Sequence, residues 1–202
     1  MFKKTVSFLA SGRGSNFENI AKKIKSGEIT ADFGILISDK KDAKALKIAD
    51  EFGMKSFFVD PKKYPSREDF DLELVSLLKK AGTDLVVAAG YMKILSPLFI
   101  KSYKNKIINI HPALLPAFPG IYSQKKALDY GVKITGCTAH FVDEGTDTGP
   151  IILQAFVPVL PDDTEDTLSA RILREEHRIF PEAVNLFCKG KLKIKGRIVS
   201  IG

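Results

Sequence analysis

TVSFLASGRGSNFENIAKKIKSGE, residues 5–28, decides the fold. Its opening, TVSFLAS (5–11), is a short apolar run bounded by glycine, which predicts a buried strand. Its close, SNFENIAKKIKSGE (15–28), sets Phe17, Ile20, Ala21 and Ile24 at helical spacing and stops at Gly27. Strand, glycine-rich turn, helix is the unit, and the chain repeats it. DFGILISD (32–39) predicts a second strand and DAKALKIADEFG (42–53) a helix ending at Gly53. KSFFVD (55–60) predicts a third strand. SREDFDLELVSLLKKAG (66–82) predicts a helix opened by the capping pattern Ser66-x-x-Asp69. TDLVVAAG (83–90) and NKIINI (105–110) are continuous apolar runs rather than alternating ones, as expected of parallel strands covered on both faces. The N-terminal half therefore predicts an α/β, Rossmann-like doubly wound and mostly parallel sheet.

The C-terminal half changes character. GCTAHFVDE (136–144) and GPIILQAFVPV (149–159) predict two longer antiparallel strands with one short connection. Residues 163–190 predict a long amphipathic helix with Pro181 inside it, hence a kink or break there. LKIKGRIVSIG (192–202) predicts a closing strand or hairpin. No linker is evident, so residues 1–202 are expected to form a single domain.

Composition narrows the function classes. The chain has 202 residues, 45% hydrophobic and 27% charged, with three histidines and two cysteines. Cys137 and Cys188 match no metal-ligand spacing and read as buried thiols of a reducing compartment. The start, MFKKTVSFLASG, has the lysines of a signal peptide, but its apolar run of about five residues is short of the ~7–15 required. No stretch approaches a membrane span. A cytoplasmic protein is expected. The net charge of +7 comes from lysine pairs scattered at 3–4, 22–23, 40–41, 62–63, 79–80 and 125–126 and interleaved with acids. That favours a solvated surface over nucleic-acid binding.

Three stretches carry chemistry. SGRGSN (11–16) puts glycines and a helix N-terminus where backbone N–H groups can face a phosphate. Phe17 stands where a dinucleotide fingerprint needs its third glycine, although Asp39 sits where a ribose-binding acid would. No lysine follows in P-loop position, so a monophosphate fits better than either. A tight turn with a Ser/Asn helix cap is the competing structural explanation. In NIHPALLPAFPG (109–120), Asn109 and His111 share one side of a strand at its carboxyl end, where open α/β sheets place ligands. An asparagine donor and a histidine suit attack on a carbonyl. Alone, the pair reads better as a satisfied strand-end histidine and a loop cap. In DEGTDTGP (143–150), Asp143 and Glu144 fit a turn, while Asp147 is the candidate for accepting a proton or orienting His111. His111, His140 and His177 show no metal-ligand spacing, and no GxSxG exists for a serine hydrolase. No metal is expected.

With these stretches in this order, the chain resembles the folate-dependent glycinamide ribonucleotide formyltransferases of purine biosynthesis and one-carbon metabolism. The resemblance runs from about residue 4 to 195 and is carried by SGRGSN, AAGYMKILSP (88–97), NIHPALLP, GCTAHFVDEGTDTGPII (136–152) and REEHRIFPEAV (174–184). It implies 10-formyltetrahydrofolate as formyl donor, glycinamide ribonucleotide as acceptor, and a monomer or homodimer. It implies a nucleotide- and phosphate-binding half at 1–110 and a folate-binding, catalytic half at 111–202. Asn109, His111 and Asp147 would be the catalytic trio. Gly12, Arg13, Gly14, Ser15 and Asn16 would hold the ribonucleotide phosphate, and Glu176 its ribose. Met92, Lys93, Ile94 and Leu95 would line the pterin pocket, with Arg67 near the benzoyl-glutamate and Asp143 and Glu144 in the loop closing over the pterin. The chain departs from the pattern at Lys93, Ala117, Tyr122 and Gln124, where the family often has arginine, a polar residue and histidines. Rivals are a formyltetrahydrofolate deformylase using the same trio with water, a methionyl-tRNA formyltransferase, which would need an RNA-binding domain, and a non-catalytic nucleotide-binding module.

Overall fold

In a computed structural model of the chain, residues 3–202 are described. They form two compact units, a first ending at Ile108 and a second beginning at Asn109. In the first, strands β1 (Lys4–Leu9), β2 (Ala31–Ser38), β3 (Lys55–Phe58), β4 (Leu85–Ala88) and the start of β5 (Ile107–His111) lie in the order β3-β2-β1-β4-β5. The pairs β1–β2, β1–β4 and β2–β3 are all parallel. Helices α1 (Ser15–Lys25), α2 (Lys44–Glu51) and α3 (Arg67–Lys80) connect them in the predicted alternation. The expected continuous apolar strands are fully buried at Val6, Phe8, Leu9, Leu85, Val86 and Val87, each such side chain stabilising the fold by roughly 1.5–3 kcal/mol. Phe8 and Phe17 meet edge to face with ring centroids 4.8 Å apart, tying β1 to α1. Ser66 caps α3 as its sequence predicted, accepting from Asp69 N at 3.1 Å.

Two elements here have no counterpart in the sequence reading, a single 3₁₀ turn at Pro61–Lys63 and helix α4 (Pro97–Ser102). Both are too short to show periodicity. Helix α4 starts at a proline behind the Ser96 cap, and the buried carboxyl of Asp71 on α3 accepts from Ser96 N at 2.6 Å. Burial pushes the Asp71 carboxyl above the usual carboxylate range.

In the second unit, β6 (Ile134–Phe141) pairs antiparallel with β7 (Ile151–Pro158), and the order is β5-β6-β7. The ladder slips between Ala139 and His140, an irregularity that matters below. Helix α5 (Ser123–Tyr130), also absent from the sequence reading, precedes β6. Helix α6 (Glu165–Cys188) is capped by a reciprocal pair of Thr164 and Thr167, and Arg171 grips Asp163 through two hydrogen bonds of 2.6 and 2.8 Å. Of the kink or break expected at Pro181, the break does not occur: α6 is one continuous helix with Pro181 inside it. Ile179, Phe180, Pro181, Ala183 and Val184 are all buried, and packing of that face offsets the ~3 kcal/mol that an interior proline costs. The closing segment is a hairpin of β8 (Leu192–Lys195) and β9 (Ile198–Ile201). Cys137 and Cys188 are free, buried thiols. No helix among the described residues is long and apolar enough to cross a membrane.

Candidate functional site

The loop at 11–16 enters α1 through Gly14, which is the N-cap residue at φ 76° and gives no side-chain cap. The Ser/Asn cap of the sequence alternative is therefore not what starts this helix. Gly14 is also a packing requirement, because a Cβ there would stand 2.9 Å from Cα and Cβ of Ala45. Gly12 and Arg13 are exposed, and Ser15 and Asn16 half-buried. Ser11 N donates to Gly90 O at 3.1 Å and Met92 N to Ser11 Oγ at 3.0 Å, which ties this loop to the segment carrying Met92, Lys93, Ile94 and Leu95. Met92 and Ile94 are 72% and 63% exposed, a large apolar surface for two residues of one loop, while Leu95 is buried. The Lys93 ammonium lies 5.9 Å from the centre of the Phe70 ring. Arg67 opens α3 at the surface, its guanidinium 3.6 Å from Glu68. Asp39, the candidate ribose acid of a dinucleotide site, is only 5% exposed at the end of β2.

In the second unit the proline-rich loop after β5 is pinned before it reaches the chemistry. Thr138 Oγ1 donates to Ala113 O (2.7 Å) and accepts from Leu115 N (3.0 Å) and Gln154 Nε2 (3.0 Å), while Gln154 Nε2 also donates to Leu115 O. The hydroxyl is thereby saturated, and the loop is held by β6 and β7 together. The opposite loop is shaped by Asp143, whose Oδ1 accepts from Gly145 N and Thr148 Oγ1. That is the turn role its sequence suggested; Glu144 is exposed beside it. Gly149 lies so close to Phe141 O that any Cβ would overlap it. This contact sets where Asp147 emerges.

His111 and Asp147 meet. His111 Nδ1 lies 3.2 Å from Asp147 Oδ2, and Gly120 N donates to the same oxygen at 2.8 Å. The other ring nitrogen of His111, Nε2, lies 2.8 Å from Phe118 O and 3.2 Å from Ser123 Oγ. Ser123 spends its own hydrogen on Gly120 O. Oxygen atoms thus face both ring nitrogens. Asn109 is joined to the pair through a residue the sequence reading considered only as a metal ligand. Its Nδ2 lies 3.3 Å from His140 Nε2, which is 3.7 Å from Asp147 Oδ1. His140 Nδ1 donates to Phe141 O at 2.9 Å. Burial pushes the His140 pKa down, against the pull of the Phe141 carbonyl and Asp147. One carboxylate therefore sits between two histidines, with Oδ2 toward His111 Nδ1 and Oδ1 toward His140 Nε2.

Three non-glycine residues around this cluster adopt left-handed backbone, Phe118 (φ 51°), Tyr122 (φ 61°) and Asp147 (φ 54°). Each conformation costs on the order of 1–3 kcal/mol, and such strain collects where function fixes geometry. Glu176 is buried on α6, and its charge acts on the Cys137 thiol of β6, which burial pushes up to about 12. Among the described residues no group of three His, Cys, Asp or Glu side chains could hold a metal ion.

Comparison with known proteins places this arrangement. The model of the formyl transferase family matches residues 4–184. The chain belongs to the formyl transferase family. Phosphoribosylglycinamide formyltransferase of Bacillus subtilis is 40% identical over 90% of this chain and 93% of its own length. A crystal structure of glycinamide ribonucleotide transformylase 1 from Symbiobacterium toebii superposes with a TM-score of 0.97 at 48% identity, covering 98% of this chain and 94% of that one. The trifunctional purine biosynthetic protein adenosine-3 of Drosophila melanogaster is 44% identical over 98% of this chain, which spans only 15% of that protein's length. The formyl transferase fold is thus an α/β sheet, parallel through its N-terminal strands and antiparallel between β6 and β7, followed by the long helix α6.

Proposed function

We propose that the chain transfers the formyl group of 10-formyltetrahydrofolate to the amine of glycinamide ribonucleotide, a step of purine biosynthesis. The observation that carries the reading is the buried contact of His111 with Asp147, linked through His140 to Asn109. Likeness to whole proteins bearing the name phosphoribosylglycinamide formyltransferase supports the choice of substrates.

The primary amine of the nucleotide attacks the formyl carbon, forming a C–N bond and pushing the carbonyl electrons onto oxygen. An N–H of Asn109 donates to that oxyanion, a contribution of ~3–4 kcal/mol for one well-placed donor. His111 stabilises the same oxygen while Asp147 holds the ring. Asp147 then accepts the proton of the attacking amine and returns it to N10 of the folate as the C–N10 bond breaks. No covalent enzyme intermediate is needed. The open amide end of α1 at Gly12–Asn16 takes the phosphate, with Arg13 adding charge, and Glu176 takes the ribose. Met92, Lys93, Ile94, Leu95, Arg67, Asp143 and Glu144 contact the folate.

Incubating the protein with 10-formyltetrahydrofolate, with and without glycinamide ribonucleotide, tests this reading. Formyl loss only when the nucleotide is present is the expected result. Loss at the same rate without it would make the protein a hydrolase and overturn the proposal.

A further inference from the structure

His140 has no assigned part in the transfer proposed above, yet it is the buried group that touches Asn109. We infer that His140 is a positioning residue that accepts a hydrogen bond from Asn109 and so fixes which end of the Asn109 amide faces the formyl oxygen. The inference rests on the transfer reading and names the device that makes Asn109 a donor in it.

An asparagine amide rotates over a broad, nearly two-fold torsion, and its oxygen and nitrogen have almost the same shape. Turned one way, Asn109 offers N–H to an oxyanion; turned the other, it offers oxygen and repels it. Packing cannot choose between these, so a hydrogen bond must. Phe141 O takes the hydrogen on His140 Nδ1, at 2.9 Å. A neutral ring has only that one, so Nε2 presents a bare lone pair, and only a donor satisfies it. The atom of Asn109 placed there is Nδ2, at 3.3 Å.

The strand is built to aim His140 at this point. The β6–β7 ladder slips register between Ala139 and His140, so that His140 stands against Ile151 directly after Ala139 stands against Leu153. The unpaired residue is Ile152 on β7, opposite the Ala139–His140 step, and bulges concentrate beside active sites. His140 is 1% exposed, and the titratable groups facing it are Asp147 with Oδ1 at 3.7 Å, Asp143, and His111. Protonation of Nε2 would set donor against donor and turn the amide over, so the neutral ring and the useful amide orientation are one linked state.

Two variants separate this from a merely structural role. His140→Leu fills the space without an acceptor, while His140→Gln places Oε1 near the position of Nε2 and can accept. We expect His140→Leu to lower kcat about 10²–10³-fold, as the loss of one oxyanion donor does, with the nucleotide KM within about threefold of wild type. His140→Gln should recover to within about tenfold of wild type. Nitrogen-15 NMR of the Asn109 side-chain amide, assigned by its disappearance in Asn109→Ala, should move in His140→Leu and stay near its wild-type position in His140→Gln. The NMR arm needs no turnover, so a wild-type protein that fails to transfer formyl would sink the transfer reading while this contact is still judged. Wild-type kcat in a folded His140→Leu protein, or His140→Gln no better than His140→Leu at equal melting temperatures, would overturn the inference. So would an amide resonance indifferent to both changes.

Discussion

The loop at 11–16 presents the amide end of a helix through glycines and uses no side-chain cap. The cluster around His111 is the reverse, side chains bonded to one another across backbone that non-glycine residues hold in a left-handed conformation. A loop that recognises a phosphate needs only N–H groups at the right curvature, and glycine supplies the curvature without strain. A centre that moves a proton needs particular atoms at particular distances, and the surrounding bonds hold Phe118, Tyr122 and Asp147 where relaxed backbone would not. The first kind of site is fragile to added volume and the second to altered chemistry.

That contrast orders the predictions. Asp147→Asn changes chemistry alone, so kcat should fall about 10²–10⁴-fold while the nucleotide KM holds. Turnover within a few-fold of wild type would remove the cluster from the reaction. In the glycine loop, volume should matter instead. Gly14→Val forces a β-branched residue into φ 76° and against Ala45. Strain of ~1–2 kcal/mol and overpacking of ~1–3 kcal/mol should lower the melting temperature by roughly 5–15 °C. Gly12→Ala is the cleaner probe, since a Cβ there meets nothing within 4 Å. Its melting temperature should not change, so a nucleotide KM raised about 10-fold or more would report a ligand lying against that backbone, on the scale of one methylene misfit. An unchanged KM would move the phosphate elsewhere.

The cluster should also mark the pH dependence of stability. The pKa of His140 is lowered by folding, so the unfolded chain takes up this proton first as pH falls below the ordinary histidine value near 6.5. The native state therefore gives up stability as pH drops through that value toward the depressed one, and keeps it above. Melting curves at pH 7.5 and 5.5 should show a larger acid-side loss for wild type than for His140→Gln, and equal losses would contradict a buried neutral ring. The smallest effect expected is at Tyr122, which is exposed and left-handed at the start of α5. Tyr122→Gly relieves the backbone but frees the unfolded chain, so stability should shift by no more than about 1 kcal/mol. A larger loss would show that the ring itself holds the cluster.

The same contrast explains what the sequence disclosed. Apolar runs announced β1, β2, β4 and β5, because strands buried on both faces are mostly apolar. The glycines of 11–16 and the Ser66 cap were legible for a similar reason, each being a residue type demanded by one local conformation. Helices α4 and α5 were not, being 6 and 8 residues long with too few turns to show a period. His140 was hidden more deeply. Its contact with Asn109 depends on the strand order and on a one-residue slip in the β6–β7 ladder, and neither leaves a mark in a single chain. Ser123 and the Phe118 carbonyl were equally invisible, since a left-handed phenylalanine carries no signature of its own. That no break occurs at Pro181 was not legible, because the cost of a helix-interior proline is readable locally while the packing that offsets it is not.

Everything in the proposed chemistry depends on where the reacting oxygen lies. A crystal structure with glycinamide ribonucleotide and a folate analogue bearing a ketone that cannot be transferred would measure it. The account predicts the ketone oxygen within hydrogen-bonding distance of Asn109 Nδ2, with Asp147 still against His111. A ketone oxygen pointing away from Asn109, with no nitrogen of Asn109 or His111 near it, would contradict it.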